Sequence, residues 1–61
     1  VPHVQIHWFE GRTAEQKREL AEALTNEICR IGRCEPESVG IVFTDVDTSD
    51  WARAGKLFSD K

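Results

Sequence analysis

From His3 to Phe9 the chain sets His3, Gln5, His7 and Phe9 in alternation against Val4, Ile6 and Trp8. This is the period of two that a strand with distinct faces requires. Glu10-Gly11-Arg12 breaks the pattern. Thr13-Ala14-Glu15-Gln16 then has the spacing of a capping box: Thr13 accepts from a backbone N–H while Gln16 reaches back, so a helix is predicted to start there. Leu20, Ala21, Leu24, Ile28 and Ile31 recur at intervals of three, four and seven and form one apolar stripe. Glu15, Arg18, Glu19, Glu22, Asn26 and Arg30 occupy the remaining surface. Gly32 is predicted to stop the helix by taking the left-handed conformation. Arg33 to Ser38 reads as a loop around Pro36, which lacks the N–H of a helix or central strand, and Val39 to Thr44 as the second strand. Asp45 to Asp50 is polar and turn-like. Trp51 to Phe58 regains apolar character and predicts a short turn or C-terminal hairpin that packs on a neighbour.

Two strands separated by one helix fold most economically as a right-handed βαβ unit with parallel strands. The predicted fold class is therefore α/β: a single domain over residues 1–61, with one long helix on the sheet. Strand two, Val39-Gly40-Ile41-Val42-Phe43, carries bulk on both faces, as a strand covered twice does. One helix covers one face, so a second chain is expected on the other. Size argues the same way, because a chain of about 60 residues buries only roughly 60% of its unfolded surface. A homo-oligomer is expected.

Charge and cysteine content narrow the partners. A net charge of -3 with 31% charged residues offers no general attraction for nucleic acid or anionic lipid. No apolar run approaches the roughly 20 residues that span a membrane. Cys29 and Cys34 are the only cysteines; with no signal-like apolar segment, they read as reduced thiols of a cytoplasmic protein. No metal-spaced cysteines or histidines accompany them, so no zinc site is expected.

Pro2 is the residue with the most chemistry to offer. As an N-terminal secondary amine it would start from a reference pKa of about 7.7–8.0. A modest loss of solvation would leave much of it neutral near pH 7, where a general base is most useful. As an internal residue it would be a tertiary amide with no basic lone pair. Val1 is accordingly read as the translation of a GTG start codon, at which the cell inserts a methionine that is trimmed before Pro2.

Pro2, the Gln5-Ile6-His7 strand, Glu10-Gly11-Arg12, Glu15-Gln16-Lys17, Ser38-Val39 and an aromatic followed by small residues at Trp51 to Gly55 together resemble the 4-oxalocrotonate tautomerase family, the short-subunit branch of the tautomerase superfamily. The resemblance covers nearly the whole chain. It implies a βαβ subunit that forms dimers, usually assembled into a hexamer. It further implies a cofactor-free tautomerase or isomerase that moves a proton between the enol and keto forms of a small 2-hydroxy-dienoate or enol-pyruvate-type carboxylic acid. Pro2 would be the general base and Arg12 would bind the substrate carboxylate or carbonyl. Trp51 from another subunit, with Phe9, Ser38 and Arg53, would contribute to substrate binding.

Two departures from the family pattern stand out. Gly40 occupies the position at which dicarboxylate-processing members carry a second arginine, and Arg53 adds a cation two residues beyond Trp51. Either Arg53 partly replaces the missing arginine or the substrate has a single carboxylate. Two other functions share the resemblance. One is a hydratase-type dehalogenase or decarboxylase that uses a protonated Pro2; the other is a non-catalytic subunit of a mixed hexamer, which the absence of a side chain at Gly40 would fit.

Overall fold

The computed structural model describes residues 2–60. Val1, and with it the question of its removal, lies outside the described residues. The chain runs through strand β1 (His3–Phe9), helix α1 (Ala14–Gly32), a 3-10 turn at Pro36–Ser38, strand β2 (Gly40–Val46), a second 3-10 turn at Thr48–Asp50, and the two short strands β3 (Ala52–Arg53) and β4 (Lys56–Leu57). β1 and β2 are parallel and in register from His3 opposite Gly40 to Phe9 opposite Val46. α1 is the crossover, and β3 and β4 form an antiparallel hairpin.

The capping box forms as the spacing requires: Thr13 Oγ1 accepts from the Gln16 N–H at 3.1 Å, and Gln16 Oε1 accepts from the Thr13 N–H at 2.9 Å. The helix stop differs from the expectation. Gly32 is the last helical residue, and Arg33 takes the left-handed conformation, with φ 53° and ψ 56°. The reversal one residue later brings Cys34 back to the last turn, with Sγ 3.9 Å from the Ile28 carbonyl oxygen and 4.0 Å from Cys29 Sγ.

The second strand is also displaced, spanning Gly40–Val46 rather than Val39–Thr44. Val39 is lost to it because its N–H donates to the Pro36 carbonyl, at 3.1 Å, and closes the first 3-10 turn. Asp45 and Val46 are gained. Aspartate disfavours strands, but here its carboxylate is engaged by Trp8 and Lys17, and Val46 accepts from the Glu10 N–H at 3.2 Å.

Register sorts the sheet into two faces. Val4 with Ile41, Ile6 with Phe43, and Trp8 with Asp45 share the helix side, where Lys17 Nζ reaches Asp45 Oδ2 at 2.7 Å and the Trp8 and Phe43 rings stack at 5.3 Å. His3, Gln5, His7, Phe9, Gly40, Val42, Thr44 and Val46 share the other side, which no element of the chain covers along its length; Val42 is 44% exposed. No described residue is fully buried. The radius of gyration is 14.7 Å, against roughly 10.5 Å for a compact chain of this length. One copy thus provides two layers without enclosing a core.

Candidate active site

Residues of the sequence-predicted site fall into three places. Pro2 stands at the head of β1, half-buried, with its carbonyl accepting from the Gly40 N–H at 3.0 Å. That bond extends the β1–β2 ladder by one residue and fixes Pro2 against the start of β2. A Cβ on Gly40 would stand 3.3 Å from His3 Nδ1, so the space over this glycine is shared with the His3 imidazole. Ser38 lies just upstream. Its hydroxyl donates to the Glu35 carbonyl at 2.8 Å, closing the turn that delivers the chain to Gly40.

Arg12 is at the far end of β1. Seven residue steps separate Pro2 from Phe9, about 23 Å of strand. Beyond Phe9, Gly11 turns the chain with φ 123°, a conformation open to glycine. The Arg12 guanidinium then lies over the Trp8 ring, 5.2 Å from its centroid. A cation stacks there on the negative face of the indole. Trp8 is itself fixed, since its Nε1–H donates to Asp45 Oδ1 at 2.9 Å while Lys17 holds the other carboxylate oxygen. The Lys17 ammonium, then the Trp8 N–H, keep the Asp45 carboxyl below its ordinary range, with a smaller push from the Arg12 charge. Trp8, Asp45 and Lys17 were absent from the sequence-predicted site. The i to i+37 pairing of Trp8 with Asp45 depends on strand register, which periodicity does not contain.

The third group is aromatic. Phe9, on the open face, meets Trp51 at 4.8 Å and Phe58 at 5.2 Å between centroids, and Arg53 stacks over Phe58 at 5.3 Å. Phe58 also donates its N–H to the Trp51 carbonyl at 2.9 Å, which folds the hairpin back on itself. Beside this cluster, His7, Val46, Asp50, Trp51 and Ala52 line a shallow depression of about 310 Å³. Phe9, Trp51 and Arg53 are thus brought together at one end of the sheet, and Pro2, Ser38 and Gly40 at the other. Arg12 is near neither Pro2 nor Gly40 of its own chain. Among the described residues no cluster of three or more His, Cys, Asp or Glu is placed to hold a metal ion, and no helix is long and apolar enough to cross a membrane.

The fold is a short βαβ unit whose two main strands are parallel, followed by a small hairpin. The sequence model of the family described as tautomerase enzyme matches residues 2–61, and the chain belongs to that family. A probable tautomerase of Ralstonia nicotianae is 34% identical over the whole chain and 94% of its own length. Among solved structures, YwhB, a homologue of 4-oxalocrotonate tautomerase, superposes with a TM-score of 0.91 at 33% identity, covering 98% of both chains. A heterohexamer 4-oxalocrotonate tautomerase from Chloroflexus aurantiacus gives 0.87 at 27% identity, over 98% of this chain and 97% of that one.

Proposed function

We propose that this chain is a cofactor-free tautomerase that interconverts the enol and keto forms of a small 2-hydroxy-dienoate or enol-pyruvate-type acid, with Pro2 as general base and Arg12 as the group that meets the substrate carboxylate or carbonyl. The observation that carries the reading is the seating of Pro2. The Gly40 N–H holds its carbonyl at 3.0 Å, so the ring is anchored to the strand pair rather than hanging from a mobile end. In a chain that begins at Pro2, partial burial would disfavour the charged amine and favour the neutral base.

In the reaction the proline nitrogen accepts the enol hydroxyl proton. The electron pair moves through the conjugated system onto carbon, and the protonated amine returns the proton there. The keto acid forms with no net change in the protein. Arg12 offers a planar fork of donors that suits a carboxylate. Because Pro2 and Arg12 occupy opposite ends of β1, the two act in one site only when they come from different copies, and the aromatic cluster of Phe9 and Trp51 is supplied in the same way. The extended shape of the single chain and the absence of a fully buried residue among those described support such an assembly.

The test begins with the intact mass of protein expressed from its native start. A chain that begins at Pro2 has the free amine, and its Pro2→Ala variant should lose about 10²- to 10⁴-fold in kcat/KM for an enol acid, the range of a general base. A chain that retains a residue before Pro2 and still turns over the enol acid would overturn proline catalysis.

One observation favours a second reading, a non-catalytic subunit of a mixed hexamer. Gly40 presents no side chain beside Pro2, and the Chloroflexus aurantiacus relative is a heterohexamer. The chain expressed alone would then assemble without activity and gain it on mixing with a related chain.

A further inference from the structure

The two cysteines are five positions apart in sequence and adjacent in space. Cys29 is on the last full turn of α1; Cys34 follows the left-handed Arg33 and turns back onto the same turn. Their Sγ atoms are 4.0 Å apart, both residues are half-buried, and neither is in a disulfide. Arg33 adopts the left-handed conformation although Gly32 precedes it. The placement it secures is that of Cys34 against Cys29.

We propose that Cys29 and Cys34 are a redox-active dithiol, a modification site at which a peroxide forms an intrachain disulfide across the C-terminal end of α1. Closing the pair to the bond length of about 2.05 Å moves the sulfurs together by roughly 2 Å, a displacement within the range of side-chain rotation. The Cys34 thiolate attacks one peroxide oxygen, the O–O bond breaks, and a sulfenic acid and one water result. The Cys29 sulfur then attacks the Cys34 sulfur, the S–O bond breaks, and a second water leaves. Each cysteine has lost one hydrogen, and the peroxide is reduced to two waters. Loss of solvation, then the neighbouring Cys34 thiol, raise the Cys29 thiol above its ordinary range, which supports Cys34 as the sulfur that reacts first.

The bridge would tie the end of α1 to the segment that enters the Pro36–Ser38 turn and reaches Gly40, whose N–H holds the Pro2 carbonyl. The proposal stands on the sulfur geometry and is independent of the enol–keto reading.

The full chain in its native assembly is titrated with hydrogen peroxide, free thiols are alkylated, and the protein is digested with trypsin. Cleavage after Arg30 and Arg33 places the cysteines in separate peptides, so the bridge appears as a joined pair. The wild type should lose both thiols together with the loss of two hydrogen atoms, stay a single chain under denaturing non-reducing conditions, and recover both thiols with dithiothreitol. Cys29→Ser should stop at a trappable sulfenic acid on Cys34, and Cys34→Ser should react about tenfold more slowly or less. Thiols that disappear independently, bridges between chains, or two thiols inert to peroxide in the native protein would each overturn the proposal.

Discussion

The indole N–H of Trp8 donates to the Asp45 carboxylate across the parallel β1–β2 pair at 2.9 Å, and the same indole carries the Arg12 guanidinium on its face. Lys17 holds the second carboxylate oxygen at 2.7 Å. Helix and both strands therefore meet at one carboxylate, and the β1–α1 turn stacks on the indole that it holds. Asp45→Ala removes the partner of Trp8 and Lys17 together and should lower the thermal midpoint. Asp45→Asn, which keeps an acceptor for the indole, should lower it less.

The same carboxylate gives a pH dependence of known sign. Its hydrogen bonds to Lys17 and then Trp8 depress the folded-state pKa below the ordinary aspartate value, which is about 3.9. The unfolded state then binds protons first as pH falls, so the contribution is complete above that value and is lost as pH drops through the lower folded-state pKa. The difference in thermal midpoint between wild type and Asp45→Asn should be constant from neutral pH to about pH 5 and shrink below about pH 4. A difference that grows on acidification would refute the assignment.

Arg12 can be separated into charge and shape. Losing a charged hydrogen bond to substrate should reduce kcat/KM roughly tenfold or more in Arg12→Ala. Arg12→Lys keeps the charge but neither the planar fork nor the stack on Trp8, and should recover only part of that loss. Equal kcat/KM for wild type and Arg12→Ala would remove the residue from the site.

Arg53 stacks on Phe58 at the end of the sheet remote from its own Gly40, so it can serve a site near Pro2 only from another copy. Steady-state kinetics on Arg53→Ala should show a roughly tenfold or greater fall in kcat/KM if it meets a substrate carboxylate. An unchanged value assigns it to the aromatic cluster alone.

The β3–β4 hairpin turns on Ala54 and Gly55, with φ of 53° and 79°, the two left-handed positions of a type I′ turn. Ala54 bears a strain that glycine would not, partly offset by the greater freedom of glycine in the unfolded chain. Ala54→Gly should stabilise the fold by about 0.5–1 kcal/mol in denaturant unfolding. Gly55→Ala should destabilise it by about 1 kcal/mol.

What the sequence determined is what local chemistry can specify. The alternation at His3–Phe9, the Thr13–Gln16 box and the apolar stripe from Leu20 to Ile28 each encode an element through its own period or cap, although Ile31, read as part of the stripe, is 69% exposed; two strands with a helical crossover leave a parallel pair as the economical topology. Pro2 and Arg12 stand out in the sequence as candidates because their chemistry is unusual at those places. The tertiary structure decided what depends on pairing between distant residues. Register set Trp8 against Asp45 and so kept in the strand an aspartate that propensity disfavours. A backbone bond from Val39 to Pro36 moved the start of β2, and the position of Cys34 against the last turn accompanies the shift of the left-handed residue from Gly32 to Arg33. The rise per residue of a strand keeps Pro2 and Arg12 at opposite ends of β1, whereas which side chains meet across the β1–β2 pair is fixed by a register that no local pattern contains.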